Sequence, residues 1–203
     1  LISGSNGALA PQSSATRAEA ATILMRFLES KGIPTHLVEE VSDTDTLVKK
    51  VQIIPLEVIV RNVAAGSLAK RLGMEEGTKL NTTVLEYCYK DDALGDPMVN
   101  EYHIAALGVA TPEELRQIAD FSMKINKELG EYLKTAGIEL IDFKLEFGRD
   151  VDGNVILADE ISPDTCRFWD VKTHAHLDKD LFRRDLGGEE EAYREVLHRL
   201  LGK

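Results

Sequence analysis

Residues 138–162 read IELIDFKLEFGRDVDGNVILADEIS. Two β-branched and aromatic runs flank Asp152-Gly153, a two-residue hairpin signal. Strand side chains alternate faces, so Phe143, Leu145 and Phe147 point to a core, and Asp142, Lys144 and Glu146 share the other face. With Asp152-Gly153 as the central turn residues, Phe147 pairs with Ala158 and Glu146 with Asp159. Like charges side by side are destabilising unless something offsets them. A divalent cation would do so, since magnesium binds through one or two carboxylates plus nucleotide phosphates. The alternative is a solvated face on which Lys144 neutralises both carboxylates.

Working downstream, residues 162–170, SPDTCRFWD, form a turn that leads to Arg167 beside the lone tryptophan. Residues 177–184, LDKDLFRR, add further cations. Arginine forks suit phosphate and carboxylate groups, although each of these arginines taken singly reads first as a surface residue. His174 and His176 form an HxH with no third ligand at a zinc spacing. Upstream, VQIIPLEVIVRNV (51–63) predicts a strand, and Pro55 within it marks an edge or a bulge. The turn 64–67, AAGS, opens a short helix, SLAKRLG, which Ser67 is placed to cap, with Arg61 in reach of the same anion. TVLEYCYK (83–90) predicts another strand.

Helices are marked by their caps. Thr111 and Glu114 form a capping box with Pro112 at the first helical position. Leu115, Ile118, Met123, Ile125, Leu129 and Leu133 follow as an apolar face, closed by Gly137. Thr16 and Glu19 form a similar box ahead of Ile23, Leu24, Phe27 and Leu28, with Gly32 and Pro34 ending that helix. A last helix is expected from Glu189 to Leu201. The first fifteen residues read as a loop.

Of the 203 residues, 43% are hydrophobic and 29% charged, an ordinary soluble balance. A net charge of −11 disfavours non-specific nucleic-acid binding. No apolar run is long enough to span a bilayer, and no signal peptide is visible. Cys88 and Cys166 are far apart and read as reduced thiols of a cytoplasmic protein.

The strings LEVIVRNVAAGSLAKRLG, YKDDALGDPMVNE, DFKLEFGRD, LADEISPDTCRFWD and LDKDLFRRDLGG, in that order, resemble the phosphoribosylaminoimidazole-succinocarboxamide synthase family from about Gly32 onward. The resemblance implies an α+β fold of mixed-sheet lobes flanked by helices, with the site in a cleft. It implies a cytoplasmic ligase of purine synthesis. ATP activates the carboxylate of carboxyaminoimidazole ribonucleotide as an acyl phosphate, and the amine of L-aspartate attacks it. By the same resemblance, Glu146 and Asp159 are the carboxylates for Mg2+ and nucleotide, with Lys90 on the nucleotide side. Asp142 and Lys144 are catalytic residues of the cleft. Arg61, Ser67, Arg167, Arg183 and Lys179 hold the substrate, Asp96 helps shape the site, and a homodimer is expected.

In domain terms, 1–15 is then a loop-like end, 16–110 the nucleotide-lobe portion and 111–203 the C-terminal lobe with metal and substrate residues. The family's tyrosine-glutamate-glycine-lysine-alanine-lysine loop over the ATP phosphates is not found in these residues. The expectation is weakened nucleotide binding and a sheet edge exposed near residues 52–60. A remnant that binds the ribonucleotide without catalysis is the competing reading. The string ATRAEAATILMRFLE also resembles the close of an S-layer homology repeat, a match too short to bury its own faces.

Overall fold

The computed structural model describes residues 11–42, 45–184 and 187–202. In chain order the elements are α1 (Pro11–Ser30), β1 (Leu37–Glu40), β2 (Thr46–Val48), β3 (Gln52–Val63), α2 (Gly66–Leu72), β4 (Lys79–Tyr89), β5 (Met98–Val99), α3 (Glu101–Leu107), α4 (Pro112–Thr135), β6 (Ile138–Arg149), β7 (Val155–Leu157), β8 (Cys166–Asp170), α5 (Asp180–Arg183) and α6 (Glu189–Leu200). The class is α+β, as expected.

One antiparallel sheet organises the molecule, in the order β5-β4-β3-β6-β7, with β8 also paired to β6. Strands β3 and β6 are long, and each offers one apolar face. Ile54, Leu56, Val58 and Val60 of β3 and Phe143, Leu145 and Phe147 of β6 are all at most 1% exposed. Against this face lies α4, which buries Leu115, Ile118, Ile125, Leu129 and Leu133. Burying a side chain of this kind is worth about 1.5–3 kcal/mol. Helices α1 and α6 pack on one another beside it, and Phe27 of α1 stacks on Tyr132 of α4 with ring centroids 4.3 Å apart.

The start of α4 is as the sequence indicates: Thr111 and Glu114 make both bonds of the capping box, with Pro112 at the first turn. Met123 departs from the expected apolar face and is 43% exposed. Helix α1 begins at Pro11, so Thr16 lies inside it and does not cap it, and residues 11–15 are helical. Residues 1–10, with the expected loop there, lie outside the described residues. Helix α3, capped by Asn100 and His103, and strands β1, β2 and β8 have no counterpart in the sequence reading.

One expectation about β3, the exposed edge near residues 52–60, needs correction. The strand is no edge: β4 pairs with it over Leu56–Val63 and β6 over Gln52–Arg61. Pro55 instead falls where the β3–β6 register shifts between Ile53 and Glu57, the bulge alternative. The boundary between residues 110 and 111 also runs through this one sheet, because β3 and β4 lie before it and β6 to β8 after it.

Candidate active site

The sheet face opposite α4 carries the polar side chains. Cross-strand register sets them in rows. Arg61 of β3 lies opposite Asp142 of β6, which lies opposite Arg167 of β8. In the next rows Ile59 faces Lys144, and Glu57 faces Glu146. Directly paired residues share a face and touch, so the register brings distant charges together.

The first row is an ion-pair chain. Arg61 donates from Nε to Glu86 at 2.8 Å, from one terminal nitrogen to Asp142 at 2.9 Å, and from the other to the Ser67 hydroxyl at 3.0 Å. Arg167 donates to both oxygens of Asp142, at 3.0 and 2.9 Å, and from Nε to Asp180 at 2.7 Å. Arg71 extends the chain beyond Glu86, while Arg184 bonds Glu76 and approaches Asp180 at 3.6 Å. Four arginines and four carboxylates therefore alternate from Arg71 to Glu76. Arg61, Glu86, Asp142 and Asp180 are buried. Burial alone would lower the Arg167 pKa, but Asp142 and Asp180 outweigh it and hold the guanidinium above its usual value. Burial pushes the Asp142 carboxyl upward, against the pull of Arg167 and Arg61.

Beside this chain lies a cavity of about 190 Å³, lined among others by Arg61, Ser67, Asp142, Lys144, Asp164 and Arg167. The sequence expected Ser67 to cap α2. Ala65 occupies that position, with no side-chain cap bond, and the Ser67 hydroxyl accepts from Arg61 instead. Gly66, at φ +51°, leaves the room that Arg167 fills: a Cβ there would sit 2.5 Å from its terminal nitrogen.

The second cluster surrounds Lys144. Its ammonium lies 2.8 Å from Glu146, 3.2 Å from Glu57 and 3.7 Å from Asp159. Lys90, at the end of β4, reaches Glu146 at 2.5 Å. Burial would lower the Lys144 pKa, but its hydrogen bond to Glu146 and the charges of Asp159, Glu146 and Glu57 raise it, so it is a fixed cation. Burial would raise Glu146, but hydrogen bonds from Lys144 and Lys90 hold it below the usual carboxylate range. Asp159 is raised by burial and by Glu146.

The expected hairpin register is displaced by one residue. Phe147 pairs with Leu157, not Ala158, and β7 ends before Asp159. The reason lies in the turn, where the Asp150 side chain accepts from the backbone of Asp152 and Asn154 and spreads the loop over 150–154. Across the other edge of β6, Glu146 is paired with Glu57. Asp159 still joins the cluster by leaving the strand, and Lys144 spans all three carboxylates.

Other expected residues are more dispersed. Lys179 bonds Asp164 at 3.3 Å, at the cavity wall. Arg183 ends α5, and its side chain lies outside the described residues. Asp96 accepts from the Asp91 amide in the turn after Lys90. Cys88 and Cys166 are buried free thiols, and burial pushes the Cys166 thiol well up. The sequence showed no third ligand near the HxH, whereas His176 has possible ligand atoms within 4.8 Å of those of Asp178 and Asp180. Those carboxylates already serve the backbone of Phe168 and Asp180 and the Arg167 side chain. Sequence reasoning missed Glu57, Glu86 and Asp180, whose partners come from other strands. Glu57 alternates with the apolar residues of VQIIPLEVIV, a signal that could have placed it on the polar face.

A family model described as SAICAR synthetase matches residues 6–200. The chain belongs to the SAICAR synthetase family. Among relatives, it is 61% identical over 177 residues to a phosphoribosylaminoimidazole-succinocarboxamide synthase of Lachnoclostridium phytofermentans, covering 87% of this chain and 75% of that protein. It is 60% identical to the synthase of Clostridium botulinum strain Alaska E43, over 88% of this chain and 76% of that one. The crystal structure of the Ehrlichia chaffeensis synthase superposes with a TM-score of 0.93 at 43% identity, covering 100% of this chain and 88% of that one. A SAICAR synthetase solved in complex with ADP gives 0.93 at 45% identity, covering 100% and 87%. The family expectation drawn from the five strings therefore holds.

Proposed function

We propose that the chain carries out the synthase reaction of its relatives, the ATP-dependent joining of L-aspartate to carboxyaminoimidazole ribonucleotide, within purine synthesis. The observation that carries this reading is the meeting of two charge clusters on one sheet face. Cations aimed at a cavity, Arg61 and Arg167, stand beside a group of carboxylates, Glu146, Asp159 and Glu57. The first suits an anionic ribonucleotide, and the second a nucleotide with its metal.

The geometry supports the following roles. Arg61, Ser67 and Arg167 hold the ribonucleotide's phosphate and carboxylate, with Lys179 on the substrate side; the family resemblance alone adds Arg183. Asp142 is wholly engaged by two arginines and orients them; it does not move a proton. Lys144 is a permanent cation and therefore stabilises negative charge instead of acting as a base. Lys90 faces the nucleotide. Glu146 and Asp159 would hold Mg2+: their hard oxygen donors fit it, and so do the burial and the nearby Glu146 charge that raise Asp159. When bound, the metal supplies charge neutralisation on the transferring phosphoryl group.

No helix among the described residues is long and apolar enough to cross a membrane. A cytoplasmic location and a homodimer accord with the family resemblance.

The test is ADP release by the purified chain with ATP, Mg2+, ribonucleotide and L-aspartate, each omitted in turn. Release that needs all four supports the ligase. Ribonucleotide binding without release, from folded protein, overturns it in favour of a binding remnant.

A further inference from the structure

Glu86 lies on β4, one strand further from the cavity than Arg61, and does not line it. It is 8% exposed, a burial at which a carboxylate needs partners. It has two. One oxygen accepts from Arg61 Nε at 2.8 Å, and the other accepts from Arg71 of α2.

A guanidinium has five N–H bonds in a fixed plane. Arg61 commits one each to Glu86, Asp142 and Ser67. That leaves one N–H on each terminal nitrogen for a ligand in the cavity. Asp142 and Ser67 themselves line the cavity and can be pulled by whatever binds there. Glu86 is the only partner of the three outside it, and it grips Nε, the atom nearest the axis about which the fork turns. Arg71 fixes Glu86 in turn.

We infer that Glu86 is a positioning residue: anchored by Arg71, it sets the plane of the Arg61 guanidinium so that its fork meets the phosphate or carboxylate of the ribonucleotide. This rests on the proposed role of Arg61. A glutamine at position 86 keeps one acceptor oxygen but turns an amide donor toward the other arginine, so one grip is lost while the volume is preserved. An aspartate keeps the charge. Arg71 is about one-third exposed, so its removal opens one side of Glu86 to water and keeps the grip on Arg61 Nε.

The test is calorimetric binding of carboxyaminoimidazole ribonucleotide, and separately of ADP with Mg2+, to the full chain. Glu86→Gln is expected to weaken the ribonucleotide about tenfold, as for loss of a charge-assisted grip, and to leave ADP within about twofold. Glu86→Asp should restore most of the loss, and Arg71→Met should weaken the ribonucleotide about threefold with a smaller decrease of melting temperature than Glu86→Gln. If ribonucleotide and ADP binding decline together with the melting temperature, Glu86 is merely structural and the inference is wrong. It is also wrong if Glu86→Gln and Arg71→Met leave ribonucleotide binding unchanged while Arg61→Met weakens it. If Arg61→Met has no effect, the assigned role of Arg61 fails first and takes the inference with it.

Discussion

Arg61 and Arg167 donate to the same carboxylate oxygen of Asp142, each at 2.9 Å, from strands on opposite sides of β6. Two guanidiniums can sit this close only because the acid between them neutralises their repulsion. Asp142→Asn removes that charge and places an amide donor against an arginine. Breaking a buried ion pair typically costs about 3–5 kcal/mol. The variant should melt at a clearly lower temperature and bind the ribonucleotide poorly. Denaturant melts compared with the parent chain would reveal a stability within about 0.5 kcal/mol if the pair contributes nothing.

Gly66→Ala should act on the site from outside it. The positive φ costs about 1–2 kcal/mol for an alanine, and the new methyl would meet Arg167. Arg167 must then move off Asp142 or Asp180. Both the melting temperature and ribonucleotide affinity are expected to decrease, with ADP affinity retained. Equal ribonucleotide titrations for variant and parent would refute the steric account.

Lys144→Met leaves Glu57, Glu146 and Asp159 without their shared cation. Mg2+ alone, in the absence of nucleotide, should then bind more tightly, roughly tenfold or more, because it no longer competes with an ammonium. ADP release should decrease at the same time. Metal titration and turnover moving in the same direction would contradict this.

A pH effect is expected far from the cleft. Hydrogen bonds from Arg149 and from the Thr111 amide hold the Glu114 carboxyl at about 2, below its ordinary 4.5. A depressed folded-state pKa means stability that is present above 4.5 and lost as pH falls toward 2. Glu114→Gln should flatten that acid limb of the melting-temperature curve. An unchanged slope between about pH 5 and pH 2.5 would show that the pair contributes little.

The faces of the long strands were legible in the sequence because alternation is a local property: Phe143, Leu145 and Phe147 went inward and Asp142, Lys144 and Glu146 outward. The caps of α4 were legible for the same reason. Register was not. One aspartate side chain, Asp150, accepts from two backbone donors in the turn where the hairpin is displaced by a residue, and the partner of Glu146, Glu57, comes from the separate β3–β6 pairing. The same limit hid Glu86. Its charge is ordinary in TVLEYCYK, and its importance depends on Arg61, which only the β3–β4 pairing brings near. Ser67 shows the converse. The helix start was read to within two residues, but Ala65 takes the cap position and the Ser67 hydroxyl accepts from Arg61.

The alternating chain of arginines and carboxylates begins at Arg71 and ends at Glu76, five residues apart in sequence, yet it passes through β4, β3, β6, β8 and α5 on the way. Its links join residues as distant as 81 and 108 positions. No fragment of the chain can form it locally, so it closes only after the central strands have found one another. A half-folded molecule has no arginine fork to offer. On the proposed roles of Arg61 and Arg167, ribonucleotide capture is a property of the finished fold, and the ligand, by binding that state alone, would raise the melting temperature in step with its concentration.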